Sequence, residues 1–422
     1  METELFNKYI VDRYVTKQKF RYIMVDPHLV SSGWDHILNE RKKRAIKLNL
    51  VDEHKENWWY VQTPSIEQLL DMIEKAASKE IQNVVQHVTD WDEKVIELLI
   101  DEAYYSSVIE GAVSTRKRAG DMIKNHLKPR DYSEQMIMNN HNAMDYIINN
   151  LDKPISEEIF LKLHKIITDG TLEKENITEK YRDDWVGVQD LSTGETVYSA
   201  PKYTEVQWMM DNLFEFANSD TPEINPIIKA SIIHFYIVYV HPFFDGNGRT
   251  SRAFMVFYLL KQKCYFFRYL SISKAIKDKK VQYYKSILDC EENATDVTYF
   301  IENQLYLMGH RATELLKDLV MEISVKTFNK WLEVNALYLS ERQIRQLKSL
   351  WRSDKKIITI KDYIKKAKVS YETARSDLNE LYVLDILERI KVKKQFVYRL
   401  NAEEITKRFA KEIELSCTVS NE

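Results

Sequence analysis

A chain of 422 residues is too long for one ordinary core and predicts two or three domains. Nine glycines and eight prolines, beside 44% hydrophobic and 30% charged residues, exclude collagen-like and long flexible classes and favour a mainly α fold. The net charge of −3 hides an asymmetry: residues 341–400 hold 16 Lys and Arg against 8 Asp and Glu, so a +8 segment accompanies a remainder of −11.

Cys264, Cys290 and Cys417 are odd in number and lack metal-ligand spacing, which predicts free thiols in a reducing compartment. No signal-type apolar segment follows the acidic start, and the longest uncharged run, 230–244, falls short of the ~20 residues that span a bilayer. A cytoplasmic protein without a membrane partner is expected.

In chain order, residues 1–90 read as an N-terminal helical region. Its clearest element is a helix over 65–75, with Ser65 as N-cap and Leu69, Met72 and Ile73 on one face. The triplet Trp58-Trp59-Tyr60 reads as packing against the body, with a partner-facing aromatic patch as the alternative. Helices follow over 92–107 (Val95, Leu98, Leu99 and Ala103 as its buried stripe), 155–168 and 203–217. Between them, 185–200 alternates like a hairpin: Val186 and Val188, a turn at Ser192-Thr193-Gly194, then Thr196-Val197-Tyr198.

The chemistry concentrates in the loop His241-Pro242-Phe243-Phe244-Asp245-Gly246-Asn247-Gly248-Arg249-Thr250-Ser251-Arg252. An apolar helix over 227–240 ends at His241, and a second opens after the glycines. Glycines there let backbone N–H groups converge on an anion, and the helix N-terminus adds positive potential. Asp245 is placed to hold Mg²⁺, which is content with one carboxylate plus phosphate oxygens. Arg249 and Arg252 supply phosphate forks, and His241, neutral near pH 7, is a candidate proton acceptor. A Walker loop would need Gly-Lys-Ser/Thr, and an EF-hand begun at Asp245 would need an acid where Val256 stands.

These positions resemble the Fic family signature, His-x-Phe-x-Asp/Glu-Gly-Asn-Gly-Arg-x-x-Arg, without a mismatch, and the likeness extends over roughly 91–308. The resemblance implies a helical catalytic domain that moves AMP from ATP to a Tyr, Thr or Ser hydroxyl of a target protein. On that pattern His241 is the base and Asp245 the Mg²⁺ ligand; Gly246, Asn247, Gly248 and Arg249 hold the α- and β-phosphates, and Arg252 the γ-phosphate. Gly248, a lysine in the kinase-like branch, favours nucleotidyl over phosphoryl transfer. Tyr181-Arg182 and Tyr198-Ser199-Ala200-Pro201 resemble the flap that receives the target segment as an added strand, with Val197, Tyr198 and Ser199 as its contacts. The family often has an asparagine before a Tyr-Tyr pair that contacts adenine. Here Tyr283-Tyr284 is kept, but Lys279 or Lys280 takes the asparagine's place, which leaves the base open.

The resemblance also covers an inhibitory pattern, Ser/Thr-x-x-x-Glu-Gly/Asn, at Ser106-Ser107-Val108-Ile109-Glu110-Gly111. It implies an inhibitory helix over about 92–111 whose Glu110 pairs with Arg252 in the place of the γ-phosphate. In some relatives the same glutamate positions a water for removing AMP.

Near the C-terminus Thr359 caps a helix to Ala367, and Ser370 caps a second with Ala374, Leu378 and Leu381 inward. Strands over 386–391 and 395–400 follow around Lys393-Lys394. This order resembles a winged helix-turn-helix domain, an α+β module. It makes a DNA-binding regulator with a nucleotide-sensing catalytic region the main rival reading. A second helix displaying Glu372, Asp377 and Glu380 beside Arg375 argues against base readout and for a protein contact. A second copy of the chain is a further candidate partner. The predicted division is 1–90, 91–308, a helical linker over 309–345, the winged module over 346–402, and a tail over 403–422.

Overall fold

The computed structural model describes residues 6–24, 26–78, 91–189, 196–220, 222–293, 295–335, 339–353, 355–392, 395–401 and 405. The hairpin turn at 192–194, Lys393-Lys394, Cys417 and nearly all of the tail lie outside them. Cα packing divides the chain into Met1–Leu315 and Leu316–Glu422, with the division falling inside one helix.

The first unit begins with α1 (Lys17–Ile23) and α2 (Pro27–Arg44). Arg41 on α2 is fully buried and ties down the N-terminal segment. It donates to the carbonyls of Tyr9 (2.7 Å) and Val15 (3.1 Å) and to the Tyr299 hydroxyl (2.7 Å), with its guanidinium 3.6 Å over the Tyr14 ring. A hairpin follows, β1 (Ile46–Val51) against β2 (Asn57–Tyr60), where the sequence suggested only helix. β2 carries the aromatic triplet, and all three rings are buried. Trp58 stands edge-on to Phe235 and Tyr239 at 4.8 and 5.1 Å, so these residues pack inward and form no exposed patch.

α3 (Pro64–Ala76) starts one residue earlier than expected and is capped differently. Thr63, in extended conformation, accepts from Ile66 N at 3.2 Å, while Pro64 fills the first helical position, where a missing N–H costs nothing. Ser65 is therefore inside the helix. Its fully buried face is Ile66, Leu70 and Ile73; Leu69 and Met72 are only partly covered.

The body consists of α4 (Trp91–Ile109), α5 (Arg116–Lys124), α6 (Tyr132–Ile148), α7 (Glu157–Ile167), the strand pair β3 (Gly187–Gln189) and β4 (Thr196–Ser199), then α8 (Tyr203–Asn218) and α9 (Pro226–Val240). It is completed by α10 (Asn247–Lys261), α11 (Ile272–Asp278), α12 (Lys280–Glu291) and α13 (Thr298–Asn335). α9 and α10 are covered on nearly every side, which makes them the centre of the unit. On α4 the expected stripe Val95, Leu98, Leu99 and Ala103 is buried. The same helix is pinned by Glu102. Its buried carboxylate accepts from Ser271 Oγ (3.0 Å), Ser273 N (3.1 Å) and Ser273 Oγ (2.5 Å) at the start of α11. Burial lifts the Glu102 carboxyl above the usual range, against those hydrogen bonds.

In the second unit α14 (Glu341–Trp351) starts at a capping box of Ser340 and Gln343 and runs across position 345/346, where the sequence suggested a division. β5 (Ile357–Ile358), α15 (Ile360–Ala367), α16 (Tyr371–Val383), β6 (Leu387–Val392) and β7 (Gln395–Leu400) follow, with sheet order β5-β7-β6. Thr359 and Ser370 are the two N-caps, and Ala374, Leu378 and Leu381 are buried. Asp377 is not on display. It is buried, held by Arg342 through Nε (2.7 Å) and Nη2 (2.9 Å), and accepts the Tyr363 hydroxyl at 2.7 Å. A turn of α16 that looked polar from spacing alone thus faces inward.

Candidate active site

Two central helices meet at the loop. α9 ends at His241, which adopts the left-handed conformation (φ 50°, ψ 60°), a sparsely populated one for a residue with a side chain. Its N–H still bonds Ile237 O at 3.0 Å, and its Nδ1 lies 3.3 Å from Val238 O. A carbonyl only accepts, so Nδ1 carries the proton and Nε2 keeps its lone pair. Burial pushes the His241 pKa below its ordinary value, outweighing the Val238 bond, and the ring is neutral at pH 7.

The strained turn is held by Arg182, which the sequence associated with the flap and not with His241. Arg182, 2% exposed, donates from Nε to His241 O (2.8 Å) and from Nη1 to Asp184 O (3.0 Å). Its Nη2 donates to Pro201 O, and its backbone N–H to Pro242 O at 2.9 Å. The turn thus hangs on a buried guanidinium.

Past the turn, Asn247 spends its side chain on the loop: Oδ1 accepts from Phe243 N (2.9 Å) and Nδ2 donates to Phe243 O (2.7 Å). Gly246 precedes α10 at φ 83°, and a Cβ there would stand 2.7 Å from Thr168 Cγ2, so only glycine fits. His164 stacks on Phe243 at 3.4 Å between ring centres and donates from Nε2 to Asp245 O at 3.0 Å. Burial holds its pKa at about 4. The Asp245 carboxylate is 44% exposed; Oδ1 accepts from Gly246 N (2.6 Å) and Oδ2 from Arg249 Nη2 (3.0 Å). Arg249 is sealed at 1% exposure, with its Nε unpaired.

α4 closes this cradle. Arg252, 2% exposed, donates from Nε to Ser106 Oγ (3.1 Å), and from Nη2 to Ser106 O (2.9 Å) and Glu110 Oε1 (2.9 Å). A Cβ on Gly248 would collide with the Glu110 carboxylate, so that carboxylate lies against the first turn of α10. A helix N-terminus attracts anions, and this one already faces the chain's own. Burial works to lower the Arg252 pKa, but Glu110 beside it holds the guanidinium charged.

Other residues named from the sequence lie beside Arg252 or in the strand pair. Tyr283 is buried with its hydroxyl on His234 Nε2 (3.0 Å), whereas Tyr284 is 39% exposed with its hydroxyl pushed up to about 12 by burial. Lys280, at the start of α12, donates to Ile109 O at 2.8 Å and stands 5.7 Å from the centre of the Tyr284 ring, so it holds the end of α4. In the strand pair, Gly187 is opposite Ser199 and Val188 opposite Tyr198. The Tyr198 hydroxyl donates to Tyr239 O, and Ser199 Oγ accepts from Trp185 Nε1 at 3.0 Å. For Val197 only the backbone is described.

Residues 154–259 match the Fic/DOC family, a stretch that includes the loop and ends before Tyr283. A protein adenylyltransferase Fic of Nematostella vectensis is 25% identical over 240 residues, 53% of each chain. One of Drosophila willistoni is 26% identical over 128 residues, 26% of this chain and 25% of its own. The chain therefore spans between a quarter and about half of these relatives. A Fic family protein structure from Desulfovibrio desulfuricans G20 overlays with a TM-score of 0.53 at 21% identity, covering 81% of this chain and 97% of that one; this shows a shared fold. Cys264 and Cys290 are free thiols, and among the described residues no helix is long and apolar enough to cross a membrane.

Proposed function

We propose that this chain is a Fic-type transferase that moves AMP from ATP onto a Tyr, Thr or Ser hydroxyl of a target protein, and is held off at rest by Glu110. The observation that carries the reading is one juxtaposition: the free Nε2 of a neutral His241 beside a glycine cradle at the start of α10 with Arg249 and Arg252. The adenylyltransferase names of the relatives support the choice of nucleotide and acceptor.

The cradle suits a polyphosphate: its glycines leave room, its guanidiniums are sealed, and Arg249 Nε has no partner. Asp245 is its one half-exposed carboxylate, and among the described residues no group of three ligating side chains forms a metal cage. That donor set fits Mg²⁺, held by Asp245 and phosphate oxygens, where it would neutralise charge on the phosphates. His241 Nε2 takes the proton of the target hydroxyl, whose oxygen bonds the α-phosphorus as the bond to the β-phosphate oxygen breaks and pyrophosphate leaves. Arg182 keeps the His241 turn in place for that transfer. Glu110, in the position a further phosphate would take, keeps Arg252 occupied until α4 yields.

ATP labelled on the α-phosphate is the test. Label should enter protein with Mg²⁺ and His241 present, while γ-label should not; His241→Ala should lower transfer about 100-fold or more with ATP binding retained. Absence of α-label from protein in wild type and in Glu110→Gly alike would sink the reading.

A second reading concerns the second unit, whose order of capped helices and sheet, with +8 over 341–400, supports a winged helix on DNA. Withdrawal of Asp377 removes one of three acids that weighed against it. Gel shifts across a salt series decide the matter, because phosphate contacts weaken as salt rises and a protein-docking module gives no shift.

A further inference from the structure

Apart from the loop, the first unit contains a cavity of about 600 Å³ between the N-terminal segment, the start of α3, α12 and α13. Tyr14, Tyr22, Tyr299 and Tyr306 line it. Two of their hydroxyls are already spent: Tyr14 donates to Asp296 Oδ2 at 2.6 Å and Tyr299 to Val15 O at 3.1 Å. Arg41 already stands over the Tyr14 ring and Tyr14 packs on Tyr299, so an occupant meets chiefly the rings of Tyr22 and Tyr306, whose faces attract weakly hydrated cations.

Among the charged groups lining the cavity, Glu302 is the carboxyl without a salt bridge among the described residues. Glu302 lines it with a carboxyl that burial lifts above its usual range. Its partners are hydroxyls, Thr63 Oγ1 at 2.6 Å among them, and it has no ion pair among the described residues. Asp296, beneath Tyr14, is buried as well, and Arg41 is the cation that faces both carboxyls. Lys285 is paired with Asp289 at 2.9 Å, and Lys19 stands exposed at the rim. Asp296 shares Arg41 and the Tyr14 hydroxyl, which leaves Glu302, half-buried in the wall, with hydroxyl partners only among the described residues. Asn303, also in the lining, is 6% exposed and neither atom of its amide has a hydrogen-bond partner.

We propose that this cavity binds a small organic ammonium ion with a hydrogen-bonding tail, the cation against the tyrosine rings and Glu302, the tail toward Asn303. A bare metal ion fits poorly, because 600 Å³ far exceeds its coordination shell and two of the tyrosine oxygens are already engaged. The site shares no residue with the loop 241–252, so the proposal stands independently of the transferase reading.

Titration calorimetry of the full chain with choline, beside its uncharged isostere 3,3-dimethylbutan-1-ol, tests it. Choline should give a saturable isotherm. The alcohol should bind at least about tenfold more weakly, because it brings no positive charge to the ring faces or to the carboxylate. Glu302→Gln, which keeps the Thr63 bond, should weaken choline by a similar factor. Tyr306→Leu, which removes a ring and no charge, serves if that variant fails to fold. Equal binding of alcohol and choline, a choline isotherm unchanged in the folded variant, or no heat with choline up to about 10 mM, far above the usual micromolar-to-millimolar ligand range, would overturn the proposal.

Discussion

Removing the Glu110 carboxylate is the perturbation with the most to say about this molecule. Arg252 is 2% exposed while Glu110 is 28% exposed, so the pair lies between two limits. Breaking a fully buried pair from one side costs about 3–5 kcal/mol, and an exposed pair contributes about 0–1 kcal/mol. Ser106 would still offer Arg252 two acceptors, which places the loss from Glu110→Ala at about 1–2 kcal/mol. In thermal unfolding that corresponds to a melting point lower by about 2–6 °C. On the proposed reading an incoming phosphate displaces the same carboxylate, so α-label incorporation from ATP should rise about 5–30-fold, at 1.4 kcal/mol per tenfold. Glu110→Gln keeps an acceptor for Arg252 but loses the charge, and should fall between the two. The assay is initial-rate incorporation of α-labelled nucleotide, with ATP affinity measured in parallel. If Glu110→Ala incorporates at the wild-type rate with unchanged affinity, the carboxylate is not what holds the site off.

Three further outcomes follow from the same geometry. Arg182→Ala should cut the rate of label incorporation about tenfold or more while leaving ATP binding within about twofold, because it loosens the His241 turn and not the cradle; a binding defect of equal size would contradict this. His164 and His234 are held near pKa about 4 and about 3 by burial, whereas unfolded histidine titrates near 6.5. The unfolded chain then binds more protons, so stability is intact above pH 6.5 and falls as pH drops, with each ring adding a slope of about 1.4 kcal/mol per pH unit down to its folded value. Urea midpoints at pH 7, 6 and 5 check the sign. In the second unit, Asp377→Ala strands Arg342 and the Tyr363 hydroxyl and should cost about 2–3 kcal/mol, read as a lower melting transition for that unit.

Much was legible because it is local. Thr359 and Ser370 cap helices that begin at the next residue, and such a cap needs only its own next three residues. The stripe on α4 repeats at the helical period, and the loop from His241 to Arg252 holds its glycines, carboxylate and arginines within twelve positions. Where several local starts competed, neighbours decided: Pro64 favours the first helical position, which makes Thr63 the cap in place of Ser65.

What sequence order could not decide is which polar groups find partners across the fold. Arg182 and His241 are 59 positions apart and Lys280 and Ile109 are 171, while the pair Glu110 and Arg252, 142 apart, was expected from the family resemblance alone. None of these distances has a period or a spacing rule, because each depends on how helices pack and which charges packing leaves in need of one another. Asp377 makes the same point in reverse, since an acid on a polar helix turn reads as exposed until Arg342 is brought beside it. The amino-acid order alone determined the caps at Thr359 and Ser370, the buried stripe of α4 and the glycine-rich loop. Tertiary packing decided that His241 is buried and that Arg182 holds its turn, and it brought Glu110 onto Arg252 as the resemblance had implied, because burial and long-range pairing exist only once the chain has closed.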